Sequence, residues 1–362
     1  MTPLAQTNIG QLLIIGFNGT GMSPSLASLL GRIRPAGVIL FARNLDAPQQ
    51  TWQLLADCRK CTDAALFTCI DLEGGVVDRF REILGPTPSP AEVYASGDRG
   101  LFRSHGNVIG ENCRALGFNV DFAPVLDLAF EASRSVMGSR AVSADPKQVV
   151  IYAREFLRGL DDAGVLGCGK HFPGLGEGKL DSHARLPVVA KPYRRLWQQD
   201  LVPYRSLRRE LPMAMVSHAA FPALTTKPVP ASLSRRWITD VLRKAIAFRG
   251  LVVSDDLEMG GVLEAAPLGE AAVEFIRAGG DTALVCHQEA HVMEAYEALA
   301  KAWERDPKFR RCVETSTGHV AAFKKKRAAQ LRAVKAPSEK RVAQLVRNLW
   351  EFGERVRLES LA

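Results

Sequence analysis

The sequence lacks a long apolar run. None of its apolar segments reaches the roughly 18 residues that a membrane-spanning helix needs, and residues 1–10 lack the basic start and apolar stretch of a secretory signal. We therefore expect a soluble, cytoplasmic protein without a membrane span. Its 362 residues, of which 47% are apolar, suffice for a large α/β domain.

The cysteines form no regular framework. The chain has seven, at positions 58, 61, 69, 113, 168, 286 and 312; an odd number without a signal peptide fits reduced thiols. Cys58 and Cys61 form a lone C-x-x-C with no second pair and no nearby histidine, so neither a metal site nor redox chemistry is predicted. Cys69, Cys168 and Cys286 lie in apolar, strand-like segments and are expected to be buried.

Acidic residues are scarce near the carboxyl terminus. Residues 301–362 contain 16 Lys and Arg but 7 Asp and Glu, whereas the rest of the chain contains 31 and 32. Basic segments contact RNA, membranes or acidic polymers in other proteins. The run Phe323–Arg327 has no interleaved aromatic residues for base stacking. We therefore expect no nucleic-acid partner and interpret the excess as a solvated helical face, with any partner unknown.

Short apolar segments recur along the chain and alternate with helical patterns. Continuous apolar runs of this kind are typical of parallel strands that helices cover on both faces. They predict a (β/α)₈ barrel of the TIM type, with an open doubly wound sheet as the alternative. The predicted strands are Leu12–Phe17, Gly37–Phe41, Leu66–Asp71, Asn119–Leu126, Val165–His171, Met213–His218, Leu251–Asp255 and Ala283–His287.

Helical periodicity is clear between and after these strands. It predicts helices at Gln148–Ala163 and Ser234–Ala247, and mostly helix from residue 290 to 335. After the break at 336–338, a final amphipathic helix is predicted over Glu339–Leu358. We accordingly divide the chain into a catalytic barrel, residues 1–335, and a basic helical tail, residues 336–362.

Polar residues gather where the predicted strands end. In an α/β barrel the catalytic groups lie at the carboxyl ends of the strands, so six such endings together predict an active site. The residues at these endings are Asp71, Glu73, Asp121, Asp127, Lys170, His171, His218, Asp255, Asp256 and His287.

Two segments are the most informative. In the first, a strand delivers Lys170 and His171, and a glycine-rich loop then carries Asp181 and His183. A carboxylate two residues from a histidine can accept its N–H and raise the basicity of the other ring nitrogen. The loop matches no phosphate-binding fingerprint, and no G-x-S-x-G elbow is present, so neither a nucleotide cofactor nor a serine nucleophile is predicted.

The second segment ends the seventh strand with Asp255 and Asp256. Side chains alternate along a strand, so at most one of the two should enter the barrel mouth, where it could act as a nucleophile. Alternation does not say which one. The other would cap the following helix.

At these residues the sequence resembles glycoside hydrolase family 3, and specifically its β-N-acetylglucosaminidase branch. The resemblance runs from Ile9 to about Leu331. The block KHFPG followed by Asp-Ser-His is specific to this branch. The matching segments are GVILFARN (residues 37–44), IDLEGG (70–75), NVDFAPVLD (119–127), KHFPG (170–174), DSH (181–183), PASLS (230–234) and SDDL (254–257).

The resemblance implies a retaining β-glycosidase that needs no cofactor or metal, with a small glycoside as substrate. Asp255 matches the nucleophile, His183 the proton donor and acceptor, and Asp181 the partner of His183. A role in recycling cell-wall fragments is also implied. The positions that match sugar-binding residues are Asp71, Arg79, Arg140, Lys170 and His171.

The chain departs from the family pattern at two places. The family has Gly-His-Gly-Asp-Thr where this chain has Leu175 and Glu177 among glycines 174, 176 and 178, and an arginine at the position of Val76. Two alternatives to a hydrolase stay open: a phosphorylase using the same site, and a sugar-binding protein without turnover. The three glycines predict that the loop from 174 to 183 is open in the free protein and closes over substrate.

Overall fold

The structure, a computed structural model, describes residues 9–62, 64–177, 186–225 and 227–360. Eight parallel strands close into a barrel, in which each strand neighbours the strands before and after it along the chain and the last pairs with the first. This confirms the predicted (β/α)₈ fold. The strands are β1 (Leu13–Ile15), β2 (Gly37–Leu40), β3 (Phe67–Ile70), β4 (Val120–Asp121), β5 (Leu166–Phe172), β6 (Met213–Val216), β7 (Leu251–Asp256) and β8 (Thr282–Val285).

Helices surround this barrel. The longer ones are α1 (Pro24–Ile33), α2 (Pro48–Lys60), α3 (Arg99–Ala115), α4 (Pro146–Asp162), the π-helix α5 (Arg236–Ala245), α6 (Leu268–Ala278), α7 (Glu289–Arg305), α8 (Pro307–Lys326) and α9 (Glu339–Glu359). Shorter ones are Gly10–Leu12, Ala42–Asn44, Arg81–Leu84, Pro90–Ala95, Glu131–Ser133, Arg134–Met137, Gly138–Arg140, Tyr193–Gln198, Val202–Leu207, Ala231–Leu233, Gly260–Leu263 and Ala328–Leu331. No helix within the described ranges is both long and apolar enough to cross a membrane.

The barrel interior is filled by apolar side chains. Cys69, Cys168 and Cys286 lie among them as free, buried thiols, as expected from their apolar segments. At the amino-terminal end of the strands, which we call the floor, α8 closes the barrel. Val320 of α8 belongs to the buried interior cluster, and Phe323 packs against it. The opposite end, the mouth, is lined by polar groups.

A small hairpin follows β3 and was not predicted. Leu72–Gly74 pairs with Val77–Asp78 in an antiparallel ribbon. Gly74 and Gly75 make the turn possible, because both have positive φ, 91° and 61°. A Cβ on Gly74 would also lie 2.2 Å from a backbone oxygen of residue 88. The Glu-Gly-Gly sequence thus serves a tight turn that carries Glu73 into the mouth.

The basic carboxyl-terminal region is packed rather than wholly solvated. Ser338 caps α9 by accepting from the Arg341 N–H at 3.2 Å. The apolar face of α9 is buried (Leu345, Leu349, Phe352 and Val356). Phe352 stacks on His105 of α3, with ring centroids 5.6 Å apart. The predicted final helix is thus present and docked on the barrel wall, and the division of the chain at residue 335 stays a prediction.

Candidate active site

A pocket of about 570 Å³ opens at the mouth of the barrel. Every described residue of the predicted site lines it: Asp71, Arg79, Arg140, Lys170, His171 and Asp255. Asp181 and His183 lie outside the described residues. Six side chains from distant parts of the sequence therefore converge on one cavity.

Irregularities in two strands increase the number of side chains that reach the pocket. On β7, Val253 pairs with Thr282 and Asp256 with Leu284, so three steps along β7 oppose two along β8. This bulge interrupts the alternation of side chains. Asp255 and Asp256 both line the pocket, and the prediction that at most one of them enters the mouth is wrong.

Strand β5 has the same irregularity. Gly169 pairs with Ala214 and Phe172 with Val216, so three steps on β5 oppose two on β6. Lys170 and His171 fall within the bulged segment, and both line the pocket. The two dipeptides that carry the predicted chemistry each occupy a bulge.

A network of charges forms one wall. The Lys170 ammonium lies 2.7 Å from Asp71 Oδ1 and 2.6 Å from Glu73 Oε1. Arg140 donates two hydrogen bonds to Glu73, from Nε and Nη2, both at 2.8 Å. Burial opposes the charge on Lys170, but Asp71 and Glu73 outweigh it and raise the lysine pKa. Burial likewise acts against the Glu73 carboxylate, but Lys170 and Arg140 hold its pKa well below the usual value.

Asp255 lies between two histidines at the end of β7. Its Oδ1 accepts a hydrogen bond from the Asp256 N–H at 3.0 Å. Burial raises the Asp255 pKa, but His171, His218, the Asp256 N–H and Lys170 together outweigh burial, so the net pKa is below the usual value. An ionised carboxylate whose charge is not neutralised by an ion pair is suited to nucleophilic attack.

The two histidines are held by fixed partners. Asp127 Oδ2 accepts from His171 Nδ1 at 2.7 Å, and Asp127 Oδ1 accepts from the Leu175 N–H at 2.6 Å. His218 Nε2 donates to the backbone oxygen of Asp256 at 2.9 Å. Burial lowers the pKa of His218, against the attraction of Asp255. Asp127 thus fixes both the His171 ring and the start of the loop that follows it.

The opposite wall contains residues to which the sequence gave no role. His287 stacks on Phe41 with centroids 5.7 Å apart, and its Nε2 lies 3.0 Å from Asp256 Oδ2. Its hydrogen bond to Asp256 raises the His287 pKa. The Arg43 guanidinium lies 4.5 Å from the Phe41 ring centre. Glu258 also lines the pocket, and its Oε1 lies 2.5 Å from Nδ1 of His291, which does not.

The sequence marked several further pocket residues by their position at or just after the end of a predicted strand. Glu73, Asp127, His218, Asp256 and His287 were each recognised as polar strand endings, but none was given a role in binding. Arg43 comes two residues after a predicted strand, and Glu258 comes three residues after another. Distance from the strand end alone did not separate them from ordinary loop residues.

Arg79 has unused hydrogen-bonding capacity. Its guanidinium lies 5.7 Å from the Phe41 ring centre. Its Nε–H is buried and has no acceptor in the described part of the chain. A buried donor without a partner is costly, so this group is available to a ligand oxygen.

The described part of the glycine-rich loop is packed closely. A Cβ on Gly176 would lie 2.7 Å from the backbone oxygen of Leu128. Leu175 is 8% exposed and belongs to the main apolar cluster. Glu177 lies 3.2 Å from the ammonium of the buried Lys191. The glycine at 176 thus permits a close approach of two backbones, while the predicted closure falls on residues outside the described part.

The departure at Val76 lies at the rim. Val76 is 73% exposed at the tip of the hairpin and does not line the pocket. A separate question is whether the chain could bind a metal ion. Among the described residues, no group of three or more His, Cys, Asp or Glu side chains is arranged to hold one. The pocket therefore offers an ionised carboxylate, fixed imidazoles and a wall of paired charges.

Comparison with known proteins gives one answer throughout. Residues 4–321 match the family model of the glycosyl hydrolase family 3 N terminal domain. A beta-hexosaminidase of Alkalilimnicola ehrlichii is 39% identical over 286 residues, covering 77% of this chain and 81% of that protein. A beta-hexosaminidase of Pseudomonas aeruginosa is 35% identical over 293 residues, covering 80% and 86%.

Solved structures agree. The family 3 beta-N-acetylglucosaminidase of Paenibacillus sp. str. FPU-7 superposes with a TM-score of 0.89 at 33% identity, covering 96% of this chain and 68% of that one. A family 3 glycosyl hydrolase of Mycobacterium smegmatis gives a TM-score of 0.79 at 31% identity, covering 88% and 96%. The resemblance seen in the sequence is confirmed: this chain belongs to glycoside hydrolase family 3 and is a glycoside hydrolase.

Proposed function

We propose that the protein removes terminal β-linked N-acetylglucosamine from glycosides by hydrolysis with retention at the anomeric carbon. The observation that carries this proposal is the Asp255 carboxylate, whose pKa lies below its usual value at the end of a barrel strand. The names of the relatives, beta-hexosaminidase and beta-N-acetylglucosaminidase, support the choice of sugar.

Asp255 acts as the nucleophile. One of its oxygens forms a bond to the anomeric carbon while the bond to the leaving oxygen breaks. His183, assigned from the family resemblance and outside the described residues, gives its proton to that oxygen. In the second step His183 takes a proton from water, the water oxygen bonds to the anomeric carbon, and Asp255 is released. Asp181 holds the imidazole and favours its charged form.

The charged wall positions the sugar. Lys170 and Arg140 are fixed by Glu73, so their remaining donors and Asp71 present a rigid set of groups to hydroxyls and to the N-acetyl group. Arg79 adds the buried N–H that has no acceptor among the described residues. Preorganised donors of this kind lose little entropy when a ligand binds. His171, held by Asp127, completes the set.

We further propose a role in the turnover of cell-wall fragments that end in N-acetylglucosamine, and work in the cytoplasm. Both follow from the family resemblance. The chemistry needs no metal or nucleotide.

A panel of aryl β-glycosides tests the substrate and the mechanism together. We expect faster hydrolysis of the N-acetylglucosaminide than of the glucoside or xyloside, with the β-anomer as the first product detected by NMR. The α-anomer as first product would contradict retention. Release of sugar 1-phosphate when phosphate is added would identify a phosphorylase, and binding without turnover would identify a sugar-binding protein. His183→Ala should cost most on substrates with poor leaving groups.

A further inference from the structure

We propose that the floor of the barrel carries a second binding site, for a small multiply charged anion of the phosphate-ester or polyphosphate class. The site is a cavity of about 840 Å³ formed where α5 and α8 meet the starts of β6 and β7. This volume is typical of small-molecule sites. The proposal does not rest on the glycosidase function, because the catalytic residues lie at the mouth.

The lining of this cavity has one sign of charge. None of the described residues that line it is Asp or Glu. Such a cavity focuses a positive potential and raises the local concentration of anions. The cationic lining residues are Arg208, Arg209, Arg243, Arg249, Lys326 and Arg327.

Few carboxylates of the protein form ion pairs with these cations. Asp281 forms ion pairs with Arg243 and with His319. In the described ranges, no carboxylate forms an ion pair with any of the other five cations. Elsewhere, exposed arginines commonly meet acids, as Arg103 meets Asp162 at 2.8 Å.

Backbone carbonyls hold two guanidiniums in place. Arg208 donates from Nη1 to the oxygen of Arg205 at 2.7 Å, and Arg249 donates from Nη1 to the oxygen of Arg243 at 3.1 Å. Each keeps further N–H groups for a ligand. The Nε–H of Arg327 is buried and has no acceptor in the described part of the chain. Fixed guanidiniums with free donors fit the oxygens of a phosphoryl group, which they bind in pairs.

Mutual repulsion explains why an anion is the fitting occupant. Like charges held near one another at a protein surface raise the free energy of the folded state. A single negative charge offsets only part of the five positive charges that no described carboxylate pairs, so a ligand with two or more charges is favoured.

The aromatic residues of the cavity argue against nucleic acid. Phe248 is buried under the cavity. Phe323 makes a T-shaped contact with Phe67, with ring centroids 6.1 Å apart. Among the described lining residues, Phe323 is thus the one phenyl ring that is not fully buried, whereas sequence-independent binders of single strands stack successive bases on several rings. The geometry points to a compact anion.

Calorimetry with inorganic tripolyphosphate as the probe tests the site on the full chain at about 150 mM salt, where weak surface attraction is screened. We expect saturable binding with one ligand per chain, and weaker binding of orthophosphate. Arg209→Glu combined with Arg249→Glu should weaken tripolyphosphate binding by about tenfold or more. Both side chains are exposed, so the fold should be preserved, and unchanged glycosidase activity would verify that.

The matched control is Arg347→Glu combined with Arg355→Glu, which changes the net charge equally on exposed positions of α9. The control should bind tripolyphosphate as the parent does. The proposal is overturned by absence of saturable binding, by equal losses in both double variants, or by equal affinity for orthophosphate. Tighter binding of single-stranded RNA than of tripolyphosphate would also overturn it, in favour of a nucleic-acid surface.

Discussion

Two buried lysines at opposite ends of the barrel behave in opposite ways. Lys170 at the mouth is 2% exposed and Lys324 at the floor is 8% exposed. Asp71 and Glu73 surround Lys170, so its pKa is raised despite its burial. Among the described residues, Lys324 meets the amide oxygen of Gln11 at 2.8 Å and the Phe67 ring at 4.9 Å but no carboxylate, and burial lowers its pKa to about 7.

The comparison shows that, at similar burial, the carboxylate partners decide whether the pKa of a lysine rises or falls. The mouth matches its lysine and arginine with acids and so presents directed donors to a neutral sugar. The floor leaves its cations largely unmatched, which suits an anion. Each of the following experiments changes one side of this contrast.

The largest effect is expected from Asp255, the carboxylate of the mouth for which the described residues provide no ion pair. Asp255→Ala should lower kcat/KM by a factor on the order of 10⁴ or more, because it removes the nucleophile. Thermal unfolding should be nearly unchanged.

Asp256→Ala is the matched control, since both aspartates line the pocket. It should cost far less, because Asp256 acts on His287 and on the following turn. A larger loss for Asp256→Ala than for Asp255→Ala would transfer the nucleophile role to Asp256.

Removing the Glu73 carboxylate beside Lys170 should leave cations of the mouth without a carboxylate partner, as at the floor. Glu73→Gln leaves two buried cations short of one carboxylate, so we expect a loss of about 3–5 kcal/mol in the free energy of unfolding at pH 7. Since the pKa of Glu73 is lowered in the folded state, the stability it contributes is present above about pH 4.3 and is lost as the pH falls below that.

Denaturant unfolding between pH 7 and pH 3 measures this. The deficit of Glu73→Gln should shrink toward acid, while Glu131→Gln, which breaks an exposed pair with Arg134, should cost about 0–1 kcal/mol at either pH. A constant deficit would show that the loss is packing rather than charge.

Replacing Lys324, the buried lysine of the floor, should raise the free energy of unfolding, whereas Glu73→Gln lowers it. An unfolded lysine has a pKa of about 10.4, and folded Lys324 one of about 7. The unfolded chain therefore binds more protons between these values, and stability contributed at this site rises with pH across that window. Lys324→Met should stabilise the protein at pH 6 by on the order of 1–3 kcal/mol.

The rise in stability from pH 7 to 10 should weaken in Lys324→Met and persist in Lys325→Met, whose residue is exposed. Chemical denaturation across that range measures both. Destabilisation of Lys324→Met at pH 6 would show that its contacts with Gln11 and Phe67 outweigh the cost of burying the charge.

The smallest effect is expected in the pH dependence of kcat/KM. Because the Asp255 pKa is lowered, the acid limb of kcat/KM should lie below about pH 3.9. His218→Gln removes one of the two neighbouring imidazoles and should move that limb upward by up to about one unit. His319→Gln at the floor should leave the limb in place. An unchanged limb in His218→Gln would assign the lowering of the Asp255 pKa to the other groups, namely His171, the Asp256 N–H and Lys170.

Strand positions and the residues that follow them were predictable, because buried parallel strands are continuously apolar and their ends are polar. Cysteine burial followed for the same reason. The break between α7 and α8 was missed, although Pro307 marks it: proline cannot donate to a helix and favours its first turn. Here Asp306 caps α8 by accepting from the Lys308 N–H at 2.8 Å.

The wall formed by Arg43, Glu258 and His287 was not predictable as a unit. Its members are related through Phe41 and Asp256, and a contact between loops depends on the whole barrel rather than on local spacing. The hairpin at 72–78 was missed because strands of three and two residues carry no periodicity.

The bulges in β5 and β7 have a consequence for how the active site can evolve. A regular barrel strand offers one inward position at its end, so neighbouring residues cannot both be selected for contact with one substrate. Each bulge here turns a dipeptide, Lys170–His171 or Asp255–Asp256, into two functional positions. The site gains reacting groups without a longer loop, but a deletion of one residue in either segment would restore a regular strand with one inward position in place of two.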